Sequence, residues 1–267
     1  MKFSVLMSLY FKEKAQYLIE CFESLSNQTI HANEIILVFD GPITNELETI
    51  VEKYCHILPL NIIRLNQNQG LGKALNEGLK HCTNEWVFRM DTDDICEPYR
   101  FEKQIKFILD NSNLVIVGGQ IAEFNQHKDD IVSYRNVPLS AKDIVKFTCW
   151  RCPFNHMTVA YKKSAVLSAG GYQDLQEDYY LWINLVARNL EHIANLPDIL
   201  VYARIGNGMV GRRRGLLQAR CEWNLFMLKR KLKLQNNALG FVVFLLRVIP
   251  RLLPTSLLTI IYRFLRK

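Results

Sequence analysis

Apolar and polar positions along the first half of the chain alternate between two periods. Lys2–Tyr10 carries Phe3, Val5, Leu6, Met7 and Leu9 and reads as a strand. Lys14–Asn27 sets Tyr17, Leu18, Cys21, Phe22 and Leu25 on one face of a helix. Glu34–Phe39 is a second strand, closed by the turn residues Asp40-Gly41-Pro42. Thr44–Cys55 reads as a helix, Asn61–Leu65 as a short strand and Gly70–His81 as a helix. Trp86–Met90 is then a strand that stops at Asp91. Pro98 opens a helix running to about Asp110, at a position where proline is tolerated, and Leu114–Val117 is another strand. Met157–Tyr161 and Tyr179–Arg188 follow as strand and helix. This order predicts an α/β fold with a Rossmann-like, mostly parallel central sheet flanked by helices. Ligands of such sheets bind beyond the carboxyl ends of the strands.

Charge changes the picture of the second half. The 267 residues carry a net charge of +7, which as a whole suggests an anionic partner. Residues 204–267, however, hold 14 Lys/Arg against the single acid Glu222, and residues 1–203 hold 19 bases against 25 acids. An acidic body (net −6) therefore carries a basic tail (net +13). The expected division is a domain over 1–205 and, over 206–267, a basic flexible loop with C-terminal helices. The charge-free runs Leu234–Leu246 and Leu252–Tyr262 fall short of the roughly 20 apolar residues of a membrane span. Arg247 and Arg251 share a face if helical, although Pro250 complicates one continuous helix. Such segments suit helices lying in a membrane interface, basic side toward anionic headgroups; the alternative is a helical pair packed on the body. The apolar start of the chain reads as a strand rather than a signal peptide. Seven irregularly spaced cysteines point to a reducing compartment.

Candidate chemistry collects at the predicted strand ends. Asp91-Thr92-Asp93-Asp94 follows the fourth strand directly. Three carboxylates in four residues repel one another unless a cation or several donors sit among them, and such oxygen ligands suit Mg2+ or Mn2+. The bland alternative is a solvated loop with Asp93 or Asp94 capping the next helix. Asp40 ends the second strand, where an Asx turn is the simpler reading. Asn68-Gln69-Gly70-Leu71 follows the third, and its glycine permits close backbone approach to a ligand. Neither G-x-G-x-x-G after the first strand nor G-x-x-x-x-G-K-[ST] is present, which argues against dinucleotide oxidoreductases and P-loop NTPases. Cys149-Trp150-Arg151-Cys152 with His156 has C-x2-C-x3-H spacing but no evident fourth ligand, so buried thiols are expected rather than zinc. A nucleic-acid role is not expected, because no recognition module accompanies the basic residues.

Taken in order, these segments resemble the family 2 glycosyltransferases of the GT-A fold. The carrying residues are Ser4–Tyr10, Ile36–Pro42, Asn68–Asn76, Asp91-Thr92-Asp93-Asp94, Pro98-Tyr99-Arg100 and Glu177–Trp182, spanning roughly residues 2–205. More narrowly, the chain resembles the O-antigen and amylovoran-type exopolysaccharide members, which extend a sugar on undecaprenyl diphosphate. The resemblance implies donor contacts at Ser8, Tyr10, Asp40, Asn68, Gly70, Lys73, Asp91 and Arg100, and a D-x-D motif in which Asp91 and Asp93 serve the metal. It implies a catalytic base at Asp178. The family often has two acids before the glycine of the second strand end, whereas Phe39 stands first here. Acceptor or diphosphate contacts are expected at Glu177, His156, Arg204, Arg212 and Arg213, the last two in a glycine-rich segment suited to closing over a diphosphate. For His156 a satisfied structural role is the alternative, and for the arginine segment a surface loop on anionic lipid.

The resemblance thus implies an inverting, metal-dependent transferase. It would move galactose or glucose from a UDP-sugar to a GlcNAc- or GalNAc-diphospho-undecaprenol acceptor, with Mn2+ or Mg2+ and a β-1,3 linkage. The place implied is the cytoplasmic face of a bacterial inner membrane, held peripherally. Rival readings are a catalytically silent membrane-peripheral binding protein on the same fold, a polyprenyl-phosphate sugar synthase and a sugar-1-phosphate nucleotidyltransferase. The last lacks a Gly-rich, Arg-containing N-terminal loop.

Overall fold

Alternation along the first strand decides where the two cores lie. In a computed structural model, which describes residues 1–173, 177–205 and 215–252, β1 (Phe3–Leu9) points Phe3, Val5, Met7 and Leu9 to one face and Leu6 to the other. The first face is covered by α1 (Ala15–Ser26), α2 (Asn45–Tyr54) and α4 (Arg100–Asp110), with Phe22, Val51 and Phe101 buried in one core. The second is covered by α3 (Leu71–His81), α5 (Ala141–Thr148), α6 (Lys163–Ser168) and α7 (Glu177–Arg188), with Leu75, Ile144, Val166 and Trp182 buried. Thr44 caps α2 by accepting from the Leu47 N–H at 3.3 Å, and Ser140 caps α5 by accepting from the Asp143 N–H at 3.2 Å.

Four strands are parallel, as the alternating order predicts: β1, β2 (Glu34–Phe39), β3 (Leu60–Arg64) and β4 (Trp86–Arg89). Beyond β4 the sheet departs from the mostly parallel expectation. Its order is β3-β2-β1-β4-β8-β6-β9-β5, with β7 (Ile131–Arg135) beside β6 (Ile116–Phe124). The short β8 (Ala160–Lys162) inserts antiparallel between β4 and β6, so the sheet is mixed. β9 (Ile193–Arg204) runs parallel to β6, and β5 (Ile95–Cys96) pairs antiparallel with its end. The predicted strand Met157–Tyr161 is instead a 3-10 turn (His156–Thr158) followed by β8.

The basic tail is not a detached appendage over its described length. α8 (Leu216–Lys231) packs Leu225 and Leu228 against Tyr179 and Ile183 of α7. α9 (Asn237–Leu252) folds back on α8, with Phe241 and Phe244 stacked around Phe226. Among the described residues α9 runs through Pro250. Arg247, expected to face lipid headgroups, points inward instead: its Nε donates to buried Glu222 at 2.6 Å.

Candidate active site

The four parallel strands deliver their carboxyl ends to one edge. Ser8 and Tyr10 close β1, Asp40 closes β2, the Asn68–Gly70 loop follows β3, and Asp91 and Asp93 follow β4. Ser8 is half-buried, Tyr10 is exposed beside Phe11, and Lys73 is exposed in the first turn of α3. Asp40 is buried and organises its neighbour loop. Its carboxylate accepts from the Gln69 N–H at 2.7 Å, the Gly70 N–H at 3.0 Å and the Asn68 amide at 2.9 Å. It therefore satisfies the Gly70 N–H at the start of α3 from the end of the neighbouring strand. Gly41 is required at the crossing: its φ is +85°, and a Cβ there would lie 2.5 Å from the Asn68 nitrogen.

The Asp91–Asp94 loop concentrates negative charge in a partly buried place. Burial first, then the charges of Asp91 and Glu13, push the Asp93 carboxyl up to about 7. Asp94 is buried and its carboxyl is likewise raised, chiefly by burial and by Asp93. One of its oxygens accepts from the Arg204 N–H at 2.8 Å; the other, Oδ2, has no partner among the described residues. Glu13 accepts from Thr92 at 2.7 Å on the same side. Crowded carboxylates with raised proton affinity and an unmatched buried oxygen are what a cation would relieve, so the donor set fits a divalent ion. Among the described residues no three His, Cys, Asp or Glu side chains converge on one ligating point. The fit is thus the Mg2+/Mn2+ mode, in which one or two carboxylates act with waters and substrate phosphates.

Arg89, a residue the sequence reading passed over, joins this loop to the other half of the site. It is fully buried in β4; its Nε–H donates to His156 Nε2 at 2.9 Å, and its Nη2 pairs with Asp91. A charged residue inside an apolar strand was the available signal, because a buried guanidinium must be paired. Since Nε2 accepts, the imidazole proton sits on Nδ1, which is buried without a partner among the described residues. Burial, then the Arg89 charge, lowers the His156 pKa to about 4. Its ring lies 5.9 Å from that of Tyr172 and 6.2 Å from that of Trp182.

A consequence for stability follows from this histidine. The unfolded imidazole binds its proton below about pH 6.5, and the folded one only near pH 4. Stability therefore falls as pH drops through that window, by on the order of 2 kcal/mol at pH 5. His156→Gln, which keeps an acceptor for Arg89, should flatten this loss between pH 7 and 5 in denaturation curves. Equal acid sensitivity in the variant would contradict the assignment.

Asp178 stands in the first turn of α7, its Oδ1 accepting from the Tyr179 N–H at 2.7 Å. The Cys152 sulfur is 4.0 Å from its other oxygen, and burial, then Asp178, pushes that thiol up to about 12. Asp91 and Asp178 both act electrostatically on His156 and Tyr172, two members of one packed aromatic cluster. Cys149 and Cys152 donate to the Leu234 and Phe154 carbonyls at 3.0 and 3.3 Å.

Two expected contacts take other places. Arg100 has no exposed surface; its Nη2 donates to the Arg89 carbonyl at 2.7 Å, supporting the loop from behind rather than facing a donor. Arg204, at the end of β9, is inward-facing. It donates to the Asp93 carbonyl at 3.1 Å and the Gln126 carbonyl at 2.8 Å, pairs with Glu20 and stacks 3.8 Å from the Tyr17 ring centroid. Its role in this arrangement is to hold the acidic loop. Arg212, Arg213 and the Glu177 side chain lie outside the described residues.

Residues 4–171 match the family model described as glycosyl transferase family 2. The chain belongs to this family. The transferase is 44% identical to the amylovoran biosynthesis glycosyltransferase AmsE of Erwinia amylovora, across 99% of each chain. It is 34% identical, over 98% of its own length and 95% of the other, to the UDP-Gal:alpha-D-GlcNAc-diphosphoundecaprenol beta-1,3-galactosyltransferase of Escherichia coli. Among solved structures it is similar to S. aureus TarS 1–349 in complex with UDP-GlcNAc, with a TM-score of 0.70 and 21% identity, over 91% of this chain and 70% of that one. That likeness concerns the fold, which is α/β and GT-A-like with a mixed sheet.

Proposed function

We propose that this glycosyltransferase moves a hexose, galactose or glucose, from a UDP-sugar to a GlcNAc- or GalNAc-diphospho-undecaprenol acceptor with inversion, forming a β-1,3 linkage. The observation that carries the reading is the separation of two carboxylate stations. Asp91 and Asp93 lie at the strand edge, and Asp178 lies across the Arg89–His156 bridge. An inverting transfer needs both, one beside the departing diphosphate and one beside the incoming hydroxyl. The similarity to an enzyme named for a lipid-diphosphate acceptor supports the substrate class.

In this mechanism the edge formed by Ser8, Tyr10, Asp40, Asn68, Gly70 and Lys73 receives the nucleotide. Asp93, with Asp91, would hold Mn2+ or Mg2+; the bound ion would neutralise the leaving diphosphate. Arg89 keeps Asp91 in place, and Asp178 accepts the proton of the acceptor hydroxyl as it attacks the anomeric carbon in line. His156, with its Nδ1–H unmatched among the described residues, offers a donor to the acceptor sugar, and Arg212 and Arg213 serve the diphosphates. The place of action is the cytoplasmic face of a bacterial inner membrane. Among the described residues no helix is long and apolar enough to cross a membrane. Leu239, Val242, Leu246 and Ile249 form an exposed row along α9, and Leu216 and Leu217 of α8 are exposed as well. This row would rest on the lipid surface, with the tail's net positive charge favouring anionic headgroups.

A donor screen tests the reading. With Mn2+ and a synthetic GlcNAc-diphospho-lipid, UDP release should depend on both the acceptor and one UDP-hexose. Equal release with and without acceptor would contradict it.

A further inference from the structure

The single acid of the basic tail has an unexpected place. Glu222 is buried on the inner face of α8, and Arg247 of α9 forks onto it, Nε to Oε2 at 2.6 Å and Nη2 to Oε1 at 2.9 Å. The third nitrogen of the fork leaves the hairpin: Nη1 donates to the Trp150 carbonyl at 2.8 Å. Lys229 of α8, also buried, donates to the neighbouring Cys149 carbonyl at 3.0 Å. The Tyr179 hydroxyl donates to the Thr148 carbonyl at 2.8 Å. Three successive carbonyls at the end of α5 are thus held by side chains from α7, α8 and α9. A helix end leaves such carbonyls unmatched, and cations there also answer its dipole. Both tail cations lie over the Tyr179 ring, Lys229 at 4.7 Å and Arg247 at 5.4 Å from its centroid. The turn they hold continues to Cys152, whose sulfur abuts Asp178, and Tyr179 is the next residue after Asp178.

We propose that the α8–α9 hairpin is part of the acceptor half of the site, with Glu222, Arg247 and Lys229 as positioning residues that fix the Thr148–Cys152 turn and, through it, Asp178. The inference rests on the reading of Asp178 as the base. A hairpin serving only to sit on lipid would not need a bidentate, buried ion pair aimed at the body. Such a pair gives geometry more than stability, because its desolvation offsets much of its attraction. The tail would then act at once as membrane contact and as scaffold, so its loss removes turnover as well as attachment.

The test uses the full chain and an acceptor that needs no membrane, a GlcNAc-diphosphate carrying a short alkyl chain, with UDP-galactose and UDP-glucose as donors. The double variant Glu222→Gln/Arg247→Met removes both charges, so no unpaired charge is left buried. Its kcat should fall at least about tenfold while the UDP-sugar KM stays within about twofold, the split expected when a transition-state group is misplaced. Hydrogen exchange over residues 148–156 and 178–183 should rise by a similar factor, with residues 1–90 unchanged. Lys229→Met, which leaves the pair in place, should move both readouts in the same direction by less. Unchanged exchange at 148–156 in the double variant would overturn the proposal whatever the activity. So would wild-type turnover of the short acceptor with loss confined to vesicle-borne lipid. An active Asp178→Asn control would instead overturn the assignment of the base.

Discussion

Asp178→Asn should lower sugar-transfer turnover by about 10²–10⁴-fold, the span of a lost general base, and should leave donor binding largely unchanged. Asp178 lies in the first turn of α7, its Oδ1 held by the Tyr179 N–H. Its Oδ2 lies 4.0 Å from the Cys152 sulfur, and its charge acts on His156 and Tyr172. Asparagine keeps the size and an acceptor oxygen but cannot take a proton. The loss should therefore appear in kcat and kcat/KM together, as expected for an interaction made only in the transition state. Steady-state kinetics with varied donor, alongside UDP binding by calorimetry, separates this from a folding defect.

Asp93→Asn should have an effect of comparable size on transfer, at least about 10²–10³-fold, if the proposed metal site serves the departing diphosphate. Its effect on stability runs the other way. A carboxyl with a folded pKa near 7 rather than the ordinary 3.8 binds its proton more tightly in the folded chain. As pH rises from about 4 to 7 the ionised form accumulates and turns against the fold. In metal-free buffer at pH 8 the asparagine variant should therefore melt a few degrees above wild type. Mn2+ with UDP should stabilise wild type, more strongly at pH 8 than at pH 6, and should do little for the variant. A thermal-shift series over pH and metal reads both effects; a variant less stable than wild type at pH 8 without metal would contradict the account.

How much of this was legible depends on how local each feature is. The first four strands and their helices follow from local period, and parallel pairing follows from their alternation. That is why Asp40, Gly70, Asp91 and Asp93 could be placed on one edge before any coordinates. Strand order beyond β4 is not a local property: nothing in Ala160–Lys162 says that it inserts antiparallel between β4 and β6. β9 was not among the predicted strands; its Pro197-Asp198 sit where the β6–β9 register shifts, a place that tolerates proline. Asp40 was legible as a turn residue and also proves to anchor the Asn68–Gly70 loop. Arg89 carried a readable signal in its apolar strand, but its partners, His156 and Asp91, could be assigned only in three dimensions. Arg247 is the instructive case. Sequence placed it on a basic face turned to lipid, while the fold turns it onto Glu222, 25 residues away, because α9 doubles back on α8.

The central claim is that Asp91/Asp93 and Asp178 serve opposite ends of one in-line displacement on a lipid-diphosphate acceptor. The anomeric configuration of the product tests it most directly. Wild-type enzyme, UDP-galactose or UDP-glucose, Mn2+ and a GlcNAc-diphospho-lipid should yield one added hexose. NMR should show that hexose β-linked at O3, inverted from the α-linked donor. An α-linked hexose would contradict the account.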